Sequence, residues 1–196
     1  MPEKRYLLTP GPTPVPPEVL AAMSEQVVHH RGPDFKAIYA QCLDRLKQVA
    51  RTEHDLFLFT APGTGALESA VANLVSPGDR VAVVSAGHFG ERWMQLVRVY
   101  GGDVVEVRYA WGEAPTPDAV AARLAELGPV KVVFLTHSET STGVVCDVQA
   151  LARAAKDAGA LVAVDAVSSL GAVPLETDAW GLDAVASGSA GPAARG

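Results

Sequence analysis

Short apolar runs alternate with helix-length segments along most of this chain, and that alternation narrows its fold more than any other feature. The runs are Leu56–Thr60, Arg80–Ser85, Asp103–Val107, Val130–Thr136, Leu161–Val164 and a run through Ala184–Ala186. Most are continuously apolar rather than alternating, which is the pattern of strands buried on both faces. Between them lie segments of helical period: Ala66–Leu74, Phe89–Tyr100, Asp118–Leu127 and Val148–Ala158. Strands that alternate with helices predict an α/β fold: a mostly parallel sheet between two layers of helices, an α/β/α sandwich. In such sheets ligands bind beyond the carboxyl ends of the strands, so the residues just after each run are the ones to inspect.

The opening is different. Leu7–Pro17 (LLTPGPTPVPP) is rich in proline, which removes backbone donors and restricts φ. We read residues 1–16 as an extended arm. Pro17 suits the first turn of a helix whose apolar positions are Val19, Leu20, Met23 and Val27. A second helix is predicted after Asp34 as N-cap, with Phe35, Ile38, Cys42, Leu46 and Val49 as its inner stripe. The formal net charge of −6 argues against nucleic acid or an anionic membrane as the main partner. No segment reaches the ~20 apolar residues of a membrane span, and MPEKRYLLTPGP lacks a secretory apolar core. A cytoplasmic protein is the expectation. The two cysteines, Cys42 and Cys146, match neither a disulfide framework nor a zinc pattern.

Four predicted strand ends carry chemistry. Ala61–Ala66 (APGTGA) opens a helix with Gly63 and Gly65, and a helix N-terminus of this kind can cradle a phosphate or be a plain glycine turn. Its spacing fits neither the dinucleotide fingerprint nor a P-loop. Gly87–Arg92 (GHFGER) places Phe89 where it could stack on a planar ring or serve as a core aromatic. His137–Gly143 (HSETSTG) is dense in hydroxyls, suited to a polar ligand or to capping the next helix. Asp165–Gly171 (DAVSSLG) sets a carboxylate at the end of an apolar strand, where it needs a cation or donors. A protonated ring nitrogen would serve, as would a structural ion pair. No G-x-S-x-G elbow is present.

GPTPVPPEV, His30–Arg31, GTGALE, PGDRV, GHFGERW, HSETSTGV and DAVSSLGAVPLETDAWGLDAVASGS follow one another in this order. The set resembles the class V, fold-type I aminotransferases that use pyridoxal 5'-phosphate (PLP), in the alanine–glyoxylate and serine–pyruvate or serine–glyoxylate branch. The resemblance spans nearly all of residues 5 to 189. It implies transfer of an amino group from alanine or serine to glyoxylate or pyruvate, small amino acid and 2-oxo acid substrates, and a homodimer. By resemblance Gly63 and Thr64 hold the PLP phosphate, Phe89 stacks on the ring, and Thr140 stands near the phenolic oxygen. Asp165 pairs with the pyridinium nitrogen and Val167 packs on the other ring face. The family often carries serine where this chain has Pro62, which offers neither N–H nor hydroxyl.

The same resemblance exposes a departure. In the family the SGS motif is followed by Gln-Lys, and that lysine forms the Schiff base with PLP. Here Ser187-Gly188-Ser189 is followed by Ala190 and Gly191. The catalytic lysine is missing after Ser189, as are the rest of the large domain and the C-terminal small domain. Lys4, Lys36, Lys47, Lys131 and Lys156 sit at the terminus, on helices or at a strand start, so none replaces it. We therefore read residues 17–189 as a partial PLP-binding domain and 190–196 as an aberrant tail, such as an out-of-frame reading of a GC-rich gene would produce. The chain as written is expected to be inactive. Two other functions stay open: a non-catalytic PLP-binding fragment or pseudoenzyme, and another class V chemistry such as cysteine desulfuration. An incomplete sheet should also leave apolar surface uncovered and the chain poorly soluble.

Overall fold

The computed structural model describes residue 7 and residues 9–189. The tail expected at Ala190–Gly196, the start of the arm and Lys4 lie outside the described residues. Helices α1 (Pro17–Met23) and α2 (Pro33–Ala50) come first, then α3 (Gly63–Leu74). The chain continues through β1 (Arg80–Ser85), α4 (His88–Val99), β2 (Asp103–Arg108), α5 (Pro117–Leu127) and β3 (Val132–Thr136). It ends with β4 (Ser138–Glu139), β5 (Val144–Val145), α6 (Val148–Asp157), β6 (Leu161–Asp165) and β7 (Ala184–Ala186).

The five-stranded sheet has the order β2-β1-β3-β6-β7, and every pairing in it is parallel. β4 and β5 form a small antiparallel ribbon beside it. Strand parity sorts the core into two layers. Val84, Val133, Leu135, Val162 and Val164 face Val120 and Leu124 of α5 and Leu151 and Ala155 of α6. Val83, Val132, Phe134 and Ala163 face Leu67 and Val71 of α3 and Trp93, Met94 and Val97 of α4. This is the α/β/α sandwich that the alternation predicts. From β1 the chain turns to β2 on one side and then to β3 on the other, so the order reverses between β1 and β3. A crevice opens beyond the strand ends at such a reversal.

Three expectations fail. Leu56–Thr60 is not a strand: among the described residues it has no strand neighbour, and Phe57 and Phe59 are 71 % and 57 % exposed. Apolarity marks a segment for burial without saying what buries it, and the described sheet ends at β7. The stripes of α1 and α2 also face outward. Val19, Leu20 and Met23 of α1 are exposed, as are Val27, which lies beyond the end of α1 rather than on it, and Ile38, Cys42 and Val49 of α2, and of α2 only Ala50 is buried. α2 is held at its C-terminal end, where Thr177 Oγ1 donates to Ala50 O (2.6 Å) and Asp178 accepts from Thr52 Oγ1 (2.6 Å) and Glu53 N (2.9 Å). Finally, α2 starts at Pro33 with Gly32 as N-cap, so Asp34 lies in the first turn rather than capping it. Proline suits that first position because it has no N–H to leave unpaired.

Candidate functional site

Helix α3 begins three residues before the periodicity predicts, so Gly63 and Thr64 are its first turn. No side chain caps this end, and its N-cap is Pro62. The first-turn N–H groups of a helix have no intrahelical acceptor and carry the positive end of its dipole. They stand against the end of β6: a Cβ built on Gly63 would lie 3.0 and 3.2 Å from the Val167 methyls. Glycine allows that close approach, since a Cβ here would press on the Val167 methyls. A Cβ on Gly188, just past β7, would in turn lie 3.6 Å from Gly63 Cα.

Asp165 closes β6 and is 4 % exposed. Its Oδ1 accepts from Val167 N at 2.9 Å, and no salt bridge reaches it from any described cation. Burial raises its pKa from 3.8 to about 6, the Val167 N–H works against that rise, and the charge of Glu139 adds to it. Thr136, its register partner on β3, is buried with no partner for its hydroxyl. By parity both side chains leave the sheet on the α3–α4 face. A buried carboxylate without a cation, beside an unpaired hydroxyl, is an arrangement suited to a polar, positively charged group.

The remaining strand ends are tied to this one. Thr140 Oγ1 meets Ser168 Oγ at 2.5 Å, joining the loop after β3 to the loop after β6. Phe89 N donates to Glu139 Oε2 at 3.0 Å, joining the start of α4 to the loop after β3. Gly63, Thr64, Phe89, Thr140, Asp165 and Val167 therefore all lie at the carboxyl end of the sheet on one connected set of loops. Phe89 is only partly buried, so its ring is not a core aromatic. Sequence reasoning missed Glu139, Ser168 and Thr136. Glu139 had a visible signal, an acid within a hydroxyl-rich loop, whereas the roles of Ser168 and Thr136 depend on strand register.

His137 belongs elsewhere. It packs edge-on against Trp180 (centroids 6.2 Å) on the α5–α6 side, and burial pushes its pKa down. Cys146 is buried, and burial followed by the charge of Glu139 pushes its thiol up to about 11. A thiol that stays protonated is a poor nucleophile. Iodoacetamide at pH 8 is expected to label exposed Cys42 and spare Cys146 in the native chain. Equal labelling of both, read by peptide mass, would contradict this burial.

The family described as aminotransferase class-V matches residues 5–191. The chain is 43% identical over 192 residues to the soluble hydrogenase 42 kDa subunit of Anabaena cylindrica, covering 96% of this chain and 50% of that one. It is 37% identical over 193 residues to a serine–glyoxylate aminotransferase of Methylorubrum extorquens, covering 96% of this chain and 48% of that one. The solved structure of an alanine–glyoxylate aminotransferase from Nostoc sp. superposes with a TM-score of 0.90 at 37% identity, over 96% of this chain and 51% of that one. The chain thus spans about half the length of these relatives.

Proposed function

Because this chain belongs to the class-V aminotransferase family, we propose that it carries the cofactor-holding part of a PLP-dependent transaminase that moves an amino group from alanine or serine to glyoxylate or pyruvate. The observation that carries this reading is Asp165, a buried carboxylate at a strand end with no cation paired to it among the described residues. A protonated pyridine nitrogen satisfies it, and in return Asp165 holds the proton there. The uncapped N-terminus of α3 suits a phosphate. Phe89 and Val167 offer apolar surface to a flat ring and exclude water from it, and the Thr140–Ser168 hydroxyl pair offers a donor to a phenolic oxygen. When bound, PLP supplies an electron sink for the substrate carbon, and the protein supplies orientation and charge. The named relatives support glyoxylate as acceptor, since a serine–glyoxylate and an alanine–glyoxylate aminotransferase are both among them.

In this reading residues 1–16 are an arm, 17–189 the cofactor-binding unit and 190–196 a tail. The outward apolar faces of α1 and α2 support a homodimer. No helix among the described residues is long and apolar enough to cross a membrane; the cytoplasm is the location that goes with this reading.

The lysines favour a second reading for the chain on its own. Lys131 Nζ is bonded to Asp79 (2.5 Å), Lys156 to Asp183, and Lys47 to Glu53 O (3.2 Å), while Lys36 lies on α2. None of them is at the strand ends that hold Asp165. On this second reading the described lysines leave the 196-residue chain to hold PLP without a covalent bond. Borohydride treatment after loading is expected to leave no pyridoxyl group at these loops, and dialysis to remove the bound ring. A stoichiometric pyridoxyl-lysine on peptide mapping would overturn the non-covalent reading; absence of saturable PLP binding would overturn the cofactor reading. Desulfuration is disfavoured by the protonated, buried Cys146.

A further inference from the structure

Glu139 is 1 % exposed, a depth at which a charged side chain must be fully paired. Its Oε2 accepts from Phe89 N (3.0 Å) and Gly90 N (3.1 Å). Its Oε1 accepts from Ser141 Oγ (2.6 Å) and Ser141 N (3.2 Å). Ser141 Oγ in turn accepts from His88 N at 3.1 Å. The leading N–H groups of α4 are thus taken by side chains from a loop some fifty residues away, and the helix dipole strengthens each bond. The approach is tight enough to dictate Gly87: a Cβ there would lie 2.5 Å from Glu139 Cγ and 2.6 Å from Ser141 Oγ.

The contrast with α3 is informative. The N-terminus of α3 is open, whereas that of α4 is filled by the protein's own anion. An ordinary helix cap comes from the residue just before the helix. Here the acceptor comes from the residue next to Thr140, whose hydroxyl meets Ser168 near Asp165 and Val167. One carboxylate therefore registers the start of α4 to the two loops at the end of β3 and β6, across the reversal between β1 and β3.

We propose that Glu139 is a positioning residue: by gripping the Phe89 and Gly90 amides it sets where the Phe89 ring stands relative to the loops carrying Thr140, Asp165 and Val167. The proposal rests on the PLP reading above, and it assigns to Glu139 no contact with the ring itself. Loss of the carboxylate frees the first turn of α4, and Phe89 no longer holds one face of the bound ring.

The test uses the full chain and 4-deoxypyridoxine 5'-phosphate, which keeps ring and phosphate but has no aldehyde to react with surface lysines. Affinity and the induced circular dichroism of the bound ring are measured for the unsubstituted chain, Glu139→Gln, Phe89→Ala and the double variant. Glu139→Gln is expected to weaken binding about tenfold and to flatten the induced band. The double variant is expected to bind no more weakly than the weaker single variant, because both act through one ring. Unchanged affinity and band in Glu139→Gln, or effects that multiply in the double variant, overturn the proposal while leaving the PLP reading intact. No binding by the unsubstituted chain overturns both. Should Glu139→Gln not fold, Ser141→Ala removes one donor to Glu139 and the acceptor of His88 N. It is expected to move affinity and band in the same direction, and no change in either counts equally against the proposal.

Discussion

The Asp165→Asn chain is expected to be more stable than the unsubstituted chain at neutral pH and far weaker in holding PLP. Asp165 is 4 % exposed and its pKa rises from 3.8 to about 6, chiefly through burial. In the folded chain it therefore keeps a proton that the unfolded chain releases between about pH 4 and pH 6. The folded state binds more protons in that window, so stability falls as pH rises through it and stays low above it. A shift from 3.8 to about 6 corresponds to roughly 3 kcal/mol. Asparagine does not titrate and escapes this loss. Urea unfolding from pH 4 to 7.5 should show the gap between variant and parent growing by about 3 kcal/mol in favour of the variant. A gap that does not change with pH would show that Asp165 is not the buried, unpaired acid described here. Binding should move the other way. Removing one member of a buried charge pair costs at least about 2 kcal/mol, or some 30-fold in affinity. The group that weakens the empty chain is the one that holds the ring, a conflict typical of functional sites.

Trp93→Ala should bring the largest loss of stability. Trp93 is fully buried on α4, its ring lies 4.7 Å from that of Phe134, and its Nε1 donates to Leu135 O at 3.2 Å. Truncating a buried tryptophan costs about 3–5 kcal/mol, against about 5–15 kcal/mol for a typical domain. The carbonyl of Leu135 also loses its donor. Phe89 is one helical turn ahead of Trp93, so PLP affinity should fall with stability. Trp111, 58 % exposed, is the control, and its alanine variant should stay within about 0.5 kcal/mol. A Trp93→Ala unfolding free energy from urea titration within about 1 kcal/mol of the parent would mean that α4 is anchored by something other than this side chain.

The layers and the site end of the sheet were legible because they depend on local pattern. Runs such as VVFLT and LVAVD have the length, continuous apolarity and β-branching of central strands, and strand ends in a parallel sheet face one way. Asp165 stood out as an acid at the end of an apolar run, and Phe89 and Gly63 by their places in loops that open a helix. What was not legible depends on partners distant in sequence. Leu56–Phe59 is as apolar as a central strand, yet no described strand lies beside it. The stripes of α1 and α2 have helical period, and period alone does not say which way a stripe faces. Glu139 read as one polar residue among hydroxyls because its partners, the amides of Phe89 and Gly90, are set by the meeting of two loops.

The strand order has a consequence for how the chain acquires its shape on the ribosome. β2 and β3 each dock on β1, β6 docks on β3, and β7 docks on β6. Every strand thus finds its partner already synthesised, and the sheet can grow outward from β1 as the polypeptide emerges, without waiting for its end. Leu56–Phe59 breaks this rule. It emerges before β1, has no partner among the described strands, and is still exposed when those five strands are paired. An exposed, apolar, uncharged segment in that position is a natural target for chaperones and for self-association of nascent chains.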